Sequence, residues 1–303
     1  MTVYVNSEEY RQYIQTHHPE IQLVDQLLDA DTYITGSFKP EQYHHRLKHI
    51  VIPFTGHNRI DIPTLKAHGI KLFNTTVHAP FVAERAVQLM FALLGHIVFY
   101  HNNMTHGNWS NRNNVHRVPW VSIQKKSIGI YGYGRIGQAI HSYLKPFDIE
   151  VYIIDRNKDF PDVNKVKNLT NLVQCSDIVF ITAPLSKETE GAFDAQVFSH
   201  FQNRYLINVG RGQIIDEKAL YNALKENVLK GFASDVWFQY PKQEELLYPS
   251  QYPIHTLDNV VMTPHCGGLT ENSPQMMMED VCQTLLQIQA NNVEKSLDLD
   301  QLK

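Results

Sequence analysis

The feature of this sequence that most constrains its fold is a glycine-rich turn joining an apolar run to a helical pattern. Residues 126–152 read KSIGIYGYGRIGQAIHSYLKPFDIEVY, with glycines at Gly132, Gly134 and Gly137. In such a unit the first glycine allows the tight turn, the second lets the backbone approach a pyrophosphate, and the third lets helix and strand pack closely. The helix start, at Arg135 and Ile136, offers a phosphate unpaired N–H groups and the positive end of the dipole. The pattern predicts a Rossmann unit that binds a dinucleotide.

An acidic residue follows at the distance that such a unit requires. Asp155 stands eighteen residues after Gly137 and ends the apolar run at 151–154. An acid at this distance is placed to accept hydrogen bonds from a ribose diol, and its charge would repel a 2′-phosphate. The sequence therefore favours NAD over NADP, with Arg156 softening the preference.

Length and charge narrow the class of protein. A chain of 303 residues exceeds the size at which single cores usually stop growing, so two domains are expected. The net charge is -4, and no block of basic residues suggests nucleic acid or a membrane surface as partner. The polar, acidic start and the absence of a long apolar stretch favour a soluble protein.

The cysteines and histidines argue against a disulfide-rich protein and against a metal-binding protein. The three cysteines, Cys175, Cys266 and Cys282, do not form a disulfide framework and suit a reducing compartment, so we expect a cytoplasmic location. The sixteen histidines are scattered and match no zinc-binding spacing, so we expect no metal site.

Short apolar runs alternate with helix-sized segments along the chain. The runs that read as strands lie at 2–5, 21–23, 32–35, 49–52 and 71–73, and later at 178–182, 205–208, 231–235 and 260–262. This alternation indicates βαβ units with parallel sheets. A helix at 82–94 leads out of the first domain, and a helix at 273–290 returns to it. We expect an α/β fold of two doubly wound domains, residues 1–95 with 273–303 and residues 96–272.

Two side chains at predicted strand ends fit the chemistry of hydride transfer to a carbonyl. Arg211 lies between glycines after the strand at 205–208, and His265 lies between a proline and glycines after the strand at 260–262. Open α/β sheets bind ligands beyond the carboxyl ends of their strands. A histidine can donate the proton that the carbonyl oxygen needs near pH 7. An arginine can orient a carboxylate through two hydrogen bonds.

The ordered motifs resemble those of the D-isomer-specific 2-hydroxyacid dehydrogenase family over most of the chain. Besides the glycine motif with Asp155, the matching segments are TGHNRID at 55–61, Asn74 before VAE at 82–84, TAPL at 182–185 with Thr189, NVGRG at 208–212 with Asp216, and TPHCGG at 263–268. The resemblance implies a Rossmann NAD-binding domain inserted into a flavodoxin-like substrate domain. It also implies a homodimer formed through the nucleotide domain.

The resemblance assigns roles to residues in these motifs. Arg211 is expected to bind the substrate and His265 to act as acid and base. The backbone of Thr55 and Gly56 is expected to meet the substrate carboxylate, and Asp235 to lie near the nicotinamide carboxamide. The other expected cofactor contacts are Ala183, Pro184, Thr189, Val209, Gly210, Gly267 and Gly268.

The chain departs from the family at one catalytic position. The family places a glutamate beside its catalytic histidine, five residues after the position of Asp235, and this chain has Tyr240 there. A phenol is neutral at pH 7 and could hold the imidazole without stabilising its charge. Glu244 or Glu245 could instead supply a carboxylate. Formate dehydrogenases carry a neutral glutamine at this position, so formate oxidation is a minor alternative.

The leading hypothesis is an NAD-dependent enzyme that interconverts a small 2-oxoacid and its D-2-hydroxyacid. The alternative from another class is an NAD(H)-sensing regulatory protein with weak or lost activity, which the missing glutamate keeps open. The apolar stretch at 97–100, with Trp109, Val118, Pro119 and Trp120, could form a homodimer face or pack within the monomer.

Overall fold

The apolar runs of the sequence form strands and the segments between them form helices. The structure, a computed structural model, describes residues 1–109, 112, 119–156, 159–243 and 245–300. In these ranges the strands are β1 (Thr2–Val5), β2 (Gln22–Leu23), β3 (Thr32–Ile34), β4 (His49–Ile52), β5 (Lys71–Asn74), β6 (Ser127–Tyr131), β7 (Glu150–Ile154), β8 (Asn164–Val166), β9 (Ile178–Ile181), β10 (Arg204–Asn208), β11 (Leu229–Ser234) and β12 (Val260–Met262). The helices are α1 (Glu8–His17), α2 (Ile62–His68), α3 (Ala79–Leu94), α4 (Ile97–Thr105), α5 (Arg135–Leu144), α6 (Leu169–Gln174), α7 (Ala195–Phe198), α8 (Glu217–Lys225) and α9 (Ser273–Gln289).

The chain divides into two units, Met1–His78 with Leu269–Lys303 and Ala79–Gly268. The first unit holds a five-stranded parallel sheet in the order β2-β1-β3-β4-β5. This is the flavodoxin-like strand order. Successive residues of β4 alternate between the two faces: Val51 packs with residues of α1 and α9, and Ile50 and Ile52 pack with Leu65 of α2. Helix α9 lies in the first unit, and its buried residues share a cluster with those of β1 and α1.

The second unit holds a seven-stranded parallel sheet in the order β12-β11-β10-β9-β6-β7-β8. Helices α3 and α5 cover one face, and α6, α7 and α8 cover the other. The chain runs outward in opposite directions from β6, so the strand order reverses between β6 and β9. Ligands of such sheets bind at this reversal, beyond the carboxyl ends of the strands. The predicted α/β fold, with a Rossmann unit inserted into a flavodoxin-like unit, is confirmed.

Helix α3 packs in the second unit, whereas the sequence-based boundary put it in the first. Its buried residues Ala83, Ala86 and Met90 share a cluster with Ile130 of β6 and Ile140 of α5. A helix that is apolar on most sides gives no sign in the sequence of which sheet it will cover. The units meet in the chain at residues 78/79 and 268/269, rather than at 95/96 and 272/273.

None of the described helices, taken alone, has the length and hydropathy needed to cross a membrane. Helices α3 and α4 reach that length and composition only as a pair, and the pair is bent by 59° at its junction.

Candidate active site

The glycine-rich loop between β6 and α5 is shaped by two close approaches of the backbone. Gly132 has φ +105°, and a Cβ there would lie 2.4 Å from the amide nitrogen of Ala183. A Cβ on Gly137 would lie 2.7 Å from the carbonyl oxygen of Gly132. A Cβ on Gly134 would meet nothing within 4 Å, so the space beyond the middle of the loop is open. The loop thus has the tight turn and the open backbone that a pyrophosphate requires.

The N-terminus of α5, like those of α4 and α9, has no side-chain cap. The side chains that cap helices are Ser7 for α1, Asp61 for α2, Asn168 for α6, Asp194 for α7 and Asp216 for α8. At α5 the N-cap residue is Gly134, which has no side chain to offer. Arg135 and Ile136 open this helix, as the sequence predicted. A phosphate at this end would find N–H groups that no side chain covers.

Asp155 follows directly on β7 at the carboxyl edge of the sheet and is exposed. Its carboxylate lies 3.8 Å from the ammonium of Lys165, on the neighbouring strand β8. Arg156 is also exposed, and its charge acts to lower the pKa of the buried Tyr131, which burial raises. Asp155, which the sequence assigned to the ribose, therefore lies close to Lys165, a cation that no sequence motif indicated.

The loop after β9 is held by a threonine. The hydroxyl of Thr189 donates to the carbonyl oxygen of Pro184 at 2.8 Å and accepts from the amide of Ser186 at 2.8 Å. Ala183 is buried, and its amide donates to the carbonyl of Tyr131. Thr189 thus holds the shape of the loop that carries Ala183 and Pro184.

The loop after β10 presents Arg211 from a fixed backbone. The buried side chain of Asn208 accepts from the amide of Gly210 and donates to the carbonyl of Arg211, both at 3.0 Å. The amide of Val209 donates to Ile181. A Cβ on Gly212 would lie 2.2 Å from the carbonyl oxygen of Trp237, so only glycine lets these two loops pack together.

Asp235, at the end of β11, organises the loop that carries His265. Its carboxylate accepts hydrogen bonds from the hydroxyl of Thr263 at 2.6 Å, the amide of Cys266 at 3.0 Å and the amide of Gly267 at 2.7 Å. His265 itself has φ +58°, a left-handed conformation that is costly for a residue with a Cβ. The loop hydrogen bonds hold that conformation. Gly268 ends the second unit.

Tyr240 lies beside His265 but makes its hydrogen bond elsewhere. The two rings are 5.4 Å apart between centroids and tilted by 49°. The hydroxyl of Tyr240 accepts from the backbone amide of Trp237 at 2.9 Å. Among the described residues, no hydrogen bond joins Tyr240 to His265, so the phenol contacts the imidazole through its ring.

Burial and charge set the protonation of this group of residues. Desolvation lowers the pKa of His265, the positive charge of Arg211 lowers it further, and Asp235 opposes both. Burial raises the pKa of Tyr240, so its phenol is neutral at pH 7. Burial also lowers the pKa of Arg211, but from a value so high that the guanidinium stays charged. The group therefore holds a fixed cation, a neutral phenol and an imidazole biased toward its neutral form.

Of the two glutamates considered as substitutes, the structure describes Glu245. Glu245 is exposed, and its carboxylate accepts from the backbone amide of Lys242 at 3.2 Å. Glu244 lies outside the described residues. In the part of the chain that is described, no group of three or more His, Cys, Asp or Glu side chains is arranged to hold a metal ion.

In the first unit, the loop after β4 carries the residues expected to meet a carboxylate. The hydroxyl of Thr55 lies 3.1 Å from Nε2 of His78 and donates to the carbonyl of Thr75. The side chain of Asn74 donates to the carbonyl of Thr55 at 2.9 Å and so fixes the backbone that leads to Gly56. His78 was not singled out in the sequence, because only the fold brings it to Thr55.

Comparison with known proteins agrees with these features. The family model described as D-isomer specific 2-hydroxyacid dehydrogenase, NAD binding domain, matches residues 87–267. A glyoxylate reductase of Thermofilum pendens is 34% identical over 249 residues, which are 80% of this chain and 72% of that protein.

Two solved structures show the same fold. An NAD-dependent formate dehydrogenase from Staphylococcus aureus, in complex with NAD, superposes with a TM-score of 0.75 at 25% identity, covering 96% of each chain. An NADPH-dependent glyoxylate/hydroxypyruvate reductase from Sinorhizobium meliloti, in complex with NADP and malonate, superposes with a TM-score of 0.82 at 21% identity, covering 98% of this chain and 97% of that one.

Proposed function

This chain belongs to the D-isomer specific 2-hydroxyacid dehydrogenase family, and on that premise we propose that it interconverts a small 2-oxoacid and its D-2-hydroxyacid with NAD. His265 acts as the acid and base, and Arg211 binds the substrate carboxylate. The observation that carries the proposal is the grouping of Arg211, Tyr240 and His265 at the carboxyl ends of three strands. The curated relative named glyoxylate reductase supports the same class of substrate.

Three residues of the second unit have different roles in the reaction. A nicotinamide dinucleotide, when bound, supplies or accepts the hydride. Arg211 holds the substrate carboxylate through its planar fork and stays charged throughout. In the direction of reduction, His265 donates a proton from an imidazole nitrogen to the substrate oxygen, and in oxidation it takes that proton back. Asp235 keeps His265 in place through the backbone of its loop.

The open loop and uncapped helix described above fit a dinucleotide. Gly132, Gly134 and Gly137, with the N-terminus of α5, would hold the pyrophosphate, and Asp155 would accept hydrogen bonds from the adenosine ribose. The strand-end residues Ala183, Pro184, Val209, Gly210, Gly267 and Gly268 would flank the cofactor, with Thr189 supporting their loop. The preference for NAD over NADP rests on Asp155. The carboxylate-binding role of Thr55 and Gly56 stays a prediction.

Two alternatives have support from the same observation: among the described residues, no carboxylate is hydrogen-bonded to the imidazole of His265. One is an NAD(H)-sensing protein with weak activity. The other is formate oxidation, which releases no proton to a histidine and is the activity named for the Staphylococcus aureus relative. Arg211 and His265 together favour an enzyme over a sensor, since a sensor needs neither side chain at its strand ends.

The proposal is tested by following NADH consumption with glyoxylate, hydroxypyruvate, pyruvate and longer 2-oxoacids. We expect turnover of at least one of them. Formate with NAD⁺ is assayed in parallel, and turnover of formate alone would select the formate alternative. Binding of NADH without turnover of any substrate would select the sensor.

We further propose a homodimer formed through the second unit. The large side chains Ile97, Val98, Trp109 and Trp120 are each about half exposed or more, and α4 buries none of its residues. An exposed apolar surface of this kind is typical of an interface between proteins. Val118 lies outside the described residues. The molar mass by light scattering should be twice that of the chain, and Ile97→Lys with Val98→Lys should give the monomer.

The cytoplasmic location stays a prediction, as does the lack of nucleic-acid and membrane partners.

A further inference from the structure

We propose that Lys165 limits the preference for NAD that Asp155 creates, and that it provides the cation by which the protein also accepts a cofactor with a 2′-phosphate. The inference rests on the proposed function only in placing the adenosine ribose at Asp155. It concerns a residue on β8 outside every motif that the sequence analysis used.

The ammonium of Lys165 lies near the carboxylate that is proposed to bind the ribose. Nζ of Lys165 lies 3.8 Å from Oδ1 of Asp155, the carboxylate that would hold the ribose hydroxyls. That distance is longer than a hydrogen bond, so the charges attract while the N–H donors of the ammonium are not used by this pair. Within the described ranges, the side chain of Lys165 has no other ion pair and no hydrogen bond. The flexible four-carbon stem lets the ammonium turn toward a phosphate placed next to the carboxylate.

Positive charges lie next to the Asp155 carboxylate. Asp155 contributes one negative charge, and two described neighbours, Arg156 next in the chain and Lys165 on β8, each contribute one positive charge. Asp155 alone would repel a 2′-phosphate. With Lys165 beside it, the anion is offset and the phosphate gains a charged donor. NAD has no phosphate at this position, so Lys165 should matter much more for the phosphorylated cofactor than for NAD.

The pair of Lys165 and Asp155 is partly shielded from water. The side chain of Lys165 is 33% exposed and that of Asp155 is 46% exposed. A charge at this depth is screened less by salt than one fully in solvent, yet it stays accessible to a ligand. We expect its removal to weaken binding of the phosphorylated cofactor by about three- to tenfold.

The test is the dissociation constants of NAD⁺ and NADP⁺, measured by titration calorimetry on the full chain. Lys165→Met should weaken NADP⁺ binding by about three- to tenfold and should change the dissociation constant of NAD⁺ by less than about twofold. The effect on NADP⁺ should be smaller at high salt, because salt screens the ammonium. Lys165→Arg keeps the charge and should retain NADP⁺ binding. This variant tests the role of the charge even if the Met variant does not fold. Lys145→Met is the matched control, because Lys145 pairs with Asp162 at 3.4 Å beyond the far end of α5 and should change neither constant.

The outcomes separate this inference from the proposed function. Equal weakening of both cofactors by Lys165→Met, or no change in either, overturns the role of Lys165 while leaving the enzyme proposal intact. A failure of the unchanged protein to bind either dinucleotide overturns both.

Discussion

The ring of Tyr240 lies 5.4 Å from the ring of His265, yet its hydroxyl accepts a hydrogen bond from the backbone of Trp237. The tyrosine therefore occupies the place of the family's glutamate without giving the imidazole an anion. Burial and the charge of Arg211 are left to dominate, and both lower the pKa of His265.

Substituting Tyr240 by glutamate should move the pH dependence of the reaction. Reduction needs protonated His265, so its kcat/KM should fall as the pH rises through a kinetic pKa below the ordinary histidine range. An anion beside the ring favours the protonated form, so Tyr240→Glu should raise that pKa and extend fast reduction to higher pH. The measurement is kcat/KM for reduction against pH at saturating NADH.

Tyr240→Phe is the control for this experiment, because it keeps the ring and removes the bond to Trp237 without adding charge. Its kinetic pKa should stay close to that of the unchanged protein. An identical pH profile in Tyr240→Glu would show that the glutamate does not reach His265.

Replacing Arg211 by lysine should lower kcat/KM several-fold or more. Lysine keeps the charge but loses the planar fork that binds a carboxylate through two parallel hydrogen bonds. The side chain of Arg211 makes one hydrogen bond in the described structure, to the carbonyl of Gly210, so the melting temperature should change little. Full activity in Arg211→Ala would show that the substrate carboxylate is bound elsewhere.

Removing the Asp155 carboxylate should narrow the difference in kcat/KM between NADH and NADPH. Asp155→Ala removes the negative charge that opposes a 2′-phosphate and the acceptor for the ribose hydroxyls. The ratio of kcat/KM for NADH to that for NADPH should fall relative to the unchanged protein. Equal efficiencies with both cofactors before any substitution would contradict the role given to Asp155.

The first unit contains an ion pair that should make its stability depend on pH. Nε2 of His18 lies 2.9 Å from Glu279 of α9, and His18 is almost buried. The hydrogen bonds from Gln283 and His18 lower the pKa of Glu279 to about 2, and the bond to Glu279 raises the pKa of His18. The glutamate contributes stability above its ordinary pKa, and the contribution is lost as the pH falls toward 2. The histidine contributes below its ordinary pKa, and that contribution is lost as the pH rises through its raised value.

Glu279→Gln should therefore destabilise the protein most between about pH 5 and pH 6, where both partners are charged. Because Glu279 is 42% exposed, we expect a loss of about 1 kcal/mol. Thermal unfolding of both proteins across the pH range measures it. Glu20→Gln removes the more distant carboxylate, 3.4 Å from His18, and should have a smaller effect. A difference in melting temperature that does not vary with pH would contradict the ion pair.

The parts of this account that sequence predicts well are those that depend on local pattern. Gly132 and Gly137 could be assigned to a tight turn because their spacing and the flanking strand and helix leave few other structures. Arg211 and His265 could be expected near one another because parallel strands bring their carboxyl ends to one edge of a sheet. The limits of β12, Val260–Met262, match the apolar run that predicted them, whereas β8, Asn164–Val166, has no apolar run and was not predicted.

The parts that sequence did not predict depend on register and on side-chain direction. Lys165 meets Asp155 only because β8 pairs with β7 in one register, and no local pattern reports that. The sequence suggested that Tyr240 could hold the imidazole of His265, whereas the loop brings its hydroxyl to the backbone amide of Trp237. The hydroxyl of Thr189 bonds within its own loop, and its contact with a cofactor stays a prediction.

The central claim is that His265 transfers the proton in the reduction of a 2-oxoacid. The most direct measurement is kcat/KM for that reduction in the unchanged protein and in His265→Gln, together with the dissociation constant of NADH for both. We predict that the substitution lowers kcat/KM by at least about 100-fold while NADH binding stays within about twofold. A His265→Gln variant that reduces the 2-oxoacid as fast as the unchanged protein would contradict the claim.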